Sequence, residues 1–198
     1  MAAAGEVNGK EIAARFAAIA PTLRLVTPRL VLRRLDARDE AAAIAHEQDP
    51  RIMRWIRDQQ PIEAIRARVQ SILSPWTGEE GAFLVMAVTT HDDDAMLGIV
   101  VARFASVADA TMEVGYRLHP DVYRRGYAFE AMSRWNAFLC DEMSVRKLTA
   151  WIVAPNEASR RLIEKLGFER EAEFREHMHL GGEWVDVLVY GQIARERG

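Results

Sequence analysis

Asp121-Val122-Tyr123-Arg124-Arg125-Gly126-Tyr127-Ala128 joins two strongly patterned segments. Upstream, Met112, Val114, Tyr116 and Leu118 alternate with Thr111, Glu113, Gly115 and Arg117, which predicts a strand over 111–118. Downstream, Ala128, Ala131, Met132, Trp135, Phe138 and Leu139 recur at the three-four spacing of a buried helix stripe. The stretch is therefore a strand-to-helix turn. The first turn of a helix leaves backbone N–H groups without intrahelical partners, and together with the helix dipole they favour an anion. Gly126 takes unusual torsions cheaply and lets a bulky ligand approach the backbone. Arg124 and Arg125 add charge suited to phosphate. The reading is a turn that holds a phosphate-bearing cofactor; an ordinary turn with two solvated arginines fits the same residues.

Neither G-x-x-x-x-G-K-[ST] nor G-x-G-x-x-G occurs, which disfavours a nucleoside triphosphatase or a dinucleotide enzyme. The 198 residues, 49% hydrophobic and 28% charged, suit one globular domain with a sizeable core. A net charge of −3 supplies no basic field for nucleic acid. Cys140 is the single cysteine, so neither an intrachain disulfide nor a thiolate zinc cluster can form, which fits a reducing cytoplasm. No apolar run approaches the roughly 20 residues of a membrane span. Glu6, Lys10, Glu11 and Arg15 interrupt the alanine-rich start, so it lacks the apolar middle of a signal peptide. Residues 1–22 read as an N-terminal extension with a frayed or surface-docked helix around Lys10–Ile19, ended by Pro21. Residues 23–198 read as one domain.

Outward from the turn, strands are expected at Leu30–Leu35, Ala82–Val88, Met96–Phe104, Arg146–Val153, Phe168–Leu180 and Trp184–Ile193, with Gly98 read as a bulge. Helices are expected at Ala41–Glu47, after Pro61 with Ile65, Val69 and Ile72 on one face, and from Asn156 to Leu166, closed by Gly167. His91-Asp92-Asp93-Asp94 is a solvated hairpin tip, since no glycine or distal glutamate completes a calcium loop. The succession Thr111–Leu118, helix, Arg146–Val153 makes a parallel crossover, and ligands in such sheets bind beyond the carboxyl ends of the strands. That is where Tyr123–Ala128 and Pro155-Asn156 lie. Glu113 beside Gly115 places a carboxylate next to open space, although an exposed edge acid has the same pattern.

Three motifs in order, Glu113-Val-Gly-Tyr-Arg-Leu118, Tyr123-Arg-Arg-Gly-Tyr-Ala128 and Asn156-Glu-Ala-Ser-Arg-Arg-Leu-Ile-Glu-Lys-Leu-Gly-Phe168, resemble the GNAT superfamily of acyl-CoA N-acyltransferases. Thr27-Pro-Arg-Leu-Val-Leu-Arg33 and Gly181-Gly-Glu-Trp-Val-Asp-Val187 resemble its branch of ribosomal-protein N-terminal acetyltransferases. The resemblance spans about Thr27 to Ile193. It implies a single-domain α/β (α+β) fold: a mixed sheet of six to seven strands, flanked by helices and splayed around acyl-CoA.

It also implies acetyl-CoA as cosubstrate, no metal, and transfer to a primary amine on a peptide N-terminus or a small molecule by direct attack in a ternary complex. By resemblance, Tyr123, Arg124, Arg125, Gly126, Tyr127 and Ala128 hold the pyrophosphate, with Tyr123 standing where the family has Gln or Arg. Backbone groups of Tyr116, Arg117 and Leu118 pair with pantetheine. The family's tyrosine acid is replaced by Ile163. Ser159 then supports the leaving thiolate, Asn156 positions it, and Glu113 is the candidate base; a first-turn capping role for Ser159 fits as well. Another acyl donor, an amino-sugar acceptor or a non-catalytic acyl-CoA-binding module remain alternatives on the same fold. The acceptor groove falls to Trp55–Gln60, Ser74–Gly81 and Leu180–Trp184. His177 and His179 read as a half-exposed strand face with Arg175, Cys140 is assigned no acyl-carrying role, and a homodimer is allowed without a placed interface.

Overall fold

The computed structural model describes residues 8–194, so the ends of the two expected segments, 1–7 and 195–198, lie outside the described residues. The strands are β1 (Arg24–Val26), β2 (Leu30–Arg34), β3 (Leu84–Thr90), β4 (Gly98–Ser106), β5 (Thr111–Leu118), β6 (Lys147–Val153), β7 (Glu169–Leu180) and β8 (Glu183–Ile193). They form one eight-stranded sheet in the order β1-β2-β3-β4-β5-β6-β8-β7. Every neighbouring pair is antiparallel except β5 and β6. The sheet thus has one strand more than the six to seven expected. The addition is β1, whose three residues pair Leu25 with Leu32 and are too few to show a period of two.

Helices α1 (Gly9–Ile19), α5 (Tyr127–Ala137) and α6 (Glu157–Lys165) cover one face of the sheet, and α2 (Glu40–Gln48) and α4 (Ile62–Leu73) cover the other, with the short α3 (Pro50–Met53) between those two. The first face holds the larger core, where Phe16, Trp135, Met112 and Leu148 are fully buried. The second packs Ile65 and Val69 on Val85, Ala87 and Ile99. Being covered on both faces explains why β3 reads as a continuous apolar run instead of alternating. Phe16 of α1 makes edge contacts with Trp76 and Phe138 at 5.0 and 5.5 Å, so this helix is docked into the main core.

Two local expectations are corrected. Gly98 is not a bulge; it opens β4, where a Cβ would overlap the carbonyl of Arg117 and the Cα of Leu118. The β4 irregularity falls between Phe104 and Ser106. The Arg175, His177, His179 alternation is also interrupted, because β7 shifts register between Phe174 and Met178 and Glu176 takes a φ of 47°. No helix among the described residues is long and apolar enough to cross a membrane.

Candidate acyl-transfer cleft

β5 and β6 pair only at Thr111–Lys147, Met112–Leu148 and Glu113–Thr149, then diverge. From Val114 onward the β6-facing edge of β5 has no strand partner among the described residues, and Ala150 to Val153 line the opposite side of the gap. The gap opens into a cleft of about 1700 Å³. A parallel pair that separates mid-length exposes backbone N–H and C=O groups, which must find partners elsewhere.

The turn after β5 closes one end of the cleft. Arg124 has φ 61° and Gly126 φ 79°, both left-handed, so the chain turns sharply into α5. Gly126 is the N-cap and has no side chain to satisfy the first-turn amides. Tyr123, Arg124, Gly126, Tyr127 and Ala128 line the cleft. Arg125 does not; its carbonyl accepts a hydrogen bond from Arg29 Nη1 at 2.9 Å. The Arg29 Nε donates to Glu130 Oε2 at 2.6 Å, its backbone N–H donates to Glu130 Oε1 at 2.9 Å, and Thr27 Oγ1 donates to the same oxygen at 2.6 Å. Arg29 also lies over the Tyr127 ring, 4.8 Å from its centroid. Burial alone would push the Glu130 carboxyl up, but the bonds from Thr27 and Arg29 hold it below its ordinary value. Sequence reasoning quoted Thr27-Pro-Arg only as part of a resemblance; nothing local announces that it secures a turn almost a hundred residues away.

At the vertex of the splay, Glu113 accepts two bonds on Oε2 from Arg103, from Nη2 at 2.5 Å and Nε at 3.1 Å. Across the cleft, Asn156 caps α6 by accepting the Ser159 N–H on Oδ1 at 3.2 Å. Ser159 and Asn156 both line the cleft. The phenol of Tyr116 is raised above its ordinary pKa by burial, with a hydrogen bond involving Ser159 acting in the opposite direction. The α6 cap is Asn156, with Ser159 in the first turn of that helix. Ile163 is buried and also lines the cleft.

On the α2–α4 side, Arg117 leaves β5 to bond Glu47 Oε1 at 2.6 Å. Glu47, 4% exposed, also meets Arg68 at 3.0 Å and Arg57 at 3.8 Å. Burial pushes the Glu47 carboxyl up, but the guanidinium groups, Arg117 foremost, more than offset it and the net shift is downward. Sequence reasoning missed this cluster. Its one signal was an acid on the apolar side of an alanine-rich helix. Trp55, Ile56, Arg57, Ser74 and Gly81 line the cleft here, whereas Leu180–Trp184 does not. That hairpin is tied to the first of these loops by the Gly181 N–H donating to Asp58 Oδ1 at 2.7 Å. Cys140 is buried away from the cleft, His177 makes tilted ring contacts with Trp151 and Phe174, and His179 meets Trp184 edge-on. No group of His, Cys, Asp and Glu among the described residues is arranged to hold a metal ion.

The sequence profile of the acetyltransferase (GNAT) domain matches residues 29–169. The chain is 25% identical over 171 residues to the uncharacterised N-acetyltransferase YoaA of Bacillus subtilis, covering 85% of this chain and 96% of that one. It is 23% identical to the ribosomal protein uS5-alanine N-acetyltransferase of Escherichia coli, over 85% of this chain and 90% of the other. Among solved structures, the spermidine N-acetyltransferase of Vibrio cholerae in complex with CoA and spermine superposes with a TM-score of 0.75 at 16% identity, covering 86% of this chain and 99% of that one.

Proposed function

Because the chain belongs to the GNAT family of acetyltransferases, we propose that its cleft binds acetyl-CoA between β5 and β6 and passes the acetyl group directly to a primary amine, on a peptide N-terminus or a small molecule. The observation that carries this reading is the splay itself, which leads from an unpaired strand edge to an uncapped helix N-terminus at Gly126. The residues fit such a cosubstrate. First-turn amides and Arg124 suit a pyrophosphate, and the β5 edge suits an amide-bearing pantetheine arm. The coarse chemistry is also that of the relatives, one of which is named for an alanine acceptor on a ribosomal protein.

Acetyl-CoA, when bound, supplies an acetyl thioester already activated toward an amine. The amine is mostly protonated at neutral pH, since its pKa is about 8 for an α-amino group and about 10 for lysine. Glu113 takes that proton through water, and Arg103 fixes its carboxylate by Oε2. N–H groups on the Tyr116–Leu118 edge polarise the carbonyl under attack. The Ser159 hydroxyl donates a hydrogen bond as the thiolate departs, and Asn156 orients Ser159 by capping α6.

The test is acetyl-CoA-dependent thiol release across an amine panel, with Ser159→Ala and Glu113→Gln beside the wild type. Each variant is expected to lose about a hundredfold or more in kcat with the KM for acetyl-CoA little changed. Unchanged turnover in both would discard the assignments. Protection by CoA with no turnover of any amine would leave a binding module instead.

A further inference from the structure

The α2–α4 side of the cleft carries more positive charge than its acid can balance. Among the described residues, Glu47 is the only carboxylate that meets Arg57, Arg68 or Arg117, and all four residues line the cleft. Three guanidinium groups therefore share one carboxylate. Arg34, on the same side, bonds the carbonyls of Ile72, Ser74 and Val85 and, among the described residues, no acid. The other cleft acid, Glu113, is taken by Arg103. Burial lowers the proton affinity of Arg57 more than Glu47 restores it, as expected for a cation short of a partner. Unbalanced charge is costly out of water, so such a surface favours a ligand that brings the missing negative charge. Arginine presents a planar fork that takes a carboxylate through two parallel bonds.

We propose that this part of the cleft recognises an acceptor bearing a carboxylate close to its amine, held by Arg57 and Arg68. The inference rests on the acyl-transfer reading above and names the class of acceptor. Arg57 and Arg68 are specificity residues: each is about a third exposed in its side chain and so reachable by a ligand, whereas Arg117 is only 15% exposed and makes the shortest bond to Glu47, at 2.6 Å. The cation surplus disfavours a polyamine, which would add charge of the same sign. A free amino acid and a peptide with an acidic residue near its N-terminus present the same chemistry.

The test is calorimetric titration of the wild-type protein saturated with CoA, using L-glutamate, the dipeptide Ala-Asp, the diamides of both and spermine, with kcat/KM measured on the same compounds. The carboxylates are expected to bind at least about tenfold more tightly than their amides, with spermine weakest. Glutamate against Ala-Asp separates the small-molecule source from the peptide. Arg57→Glu and Arg68→Gln should abolish the carboxylate preference by raising KM, Arg57→Lys should retain part of it, and a CoA-induced thermal shift reports that each variant is folded. Equal binding of acid and amide, tighter binding of spermine, or no carboxylate binding to the CoA-saturated wild type overturns the proposal. A wild type with no CoA-induced shift instead overturns the acyl-transfer reading on which it rests.

Discussion

Arg29 and Glu130 lie 101 residues apart in the chain and 2.6 Å apart in the fold. Their pairing fastens the entry to β2 onto the first turn of α5, and the other arm of Arg29 holds the carbonyl of Arg125. Arg29 thus braces the turn from behind without lining the cleft. Arg29→Ala and Glu130→Gln should each raise the Kd for CoA several-fold. Half the Arg29 side chain is exposed, so solvent screens the pair and the stability loss should be only about 1 kcal/mol. Calorimetry with CoA and urea denaturation separate the two effects. A large stability loss with unchanged CoA affinity would show that the pair serves the fold and not the turn.

Gly126 sits at φ 79°, where an L-residue is strained, and a Cβ there would lie 3.3 Å from Arg29 Nη2. Gly126→Ala should cost about 1–2 kcal/mol through the left-handed torsion. Relaxing that strain would tilt the first-turn amides. CoA affinity is therefore expected to fall by at least about tenfold, a larger effect than a stability loss spread over the whole domain would produce. Thermal shift with and without CoA checks it: equal shifts for wild type and variant would contradict the cradle.

The turn was legible because its logic is local: a period of two, then a glycine, then a period near 3.6. Asn156 as the α6 cap was legible for the same reason. The brace from Thr27 and Arg29 to Glu130 was not, since an arginine just ahead of a strand and a glutamate in a first helical turn each have a sufficient local explanation. Glu47 was hidden likewise, in a helix whose neighbours are mostly alanine, and its partners come from the α3–α4 loop, α4 and β5. β1 escaped because three residues cannot display a period, and the real β4 and β7 irregularities fall where no glycine marks them. What a sequence shows poorly is a contact between residues that each look satisfied where they stand.

Helix α1 shows the same limit and gives a stability prediction. Its large apolar side chains are few among alanines, yet Phe16 is fully buried against Trp76, Trp135 and Phe138. Phe16→Ala should cost about 3–5 kcal/mol, the range for an aromatic removed from a packed core. Trp135 belongs to α5, so the loss should also loosen the helix that carries the turn. Urea denaturation reads the first effect and CoA affinity of the folded fraction the second. A change below about 1 kcal/mol would mean that α1 is not integral to the core.

His46 makes stability depend on pH between the usual histidine range and mild acid. Burial, reinforced by the charge of Arg117, lowers its pKa from 6.5 to about 4, and its buried Nε2 has no hydrogen-bond partner among the described residues. The folded state therefore keeps this imidazole neutral where the unfolded chain would protonate it. Above pH 6.5 the contribution is fully present. As pH falls from 6.5 toward 4 the unfolded chain binds a proton that the folded protein refuses, and stability is lost. The shift corresponds to a loss of up to about 3 kcal/mol at the low end. The carboxylates held low by arginines, Glu47 and Asp49 among them, add their own losses only at lower pH. Urea denaturation at pH 7.5 and pH 5 should thus show a clear drop in the wild type and a much smaller one in His46→Met, which fills similar space without a titrating ring. Equal pH dependence in both proteins would place the proton elsewhere.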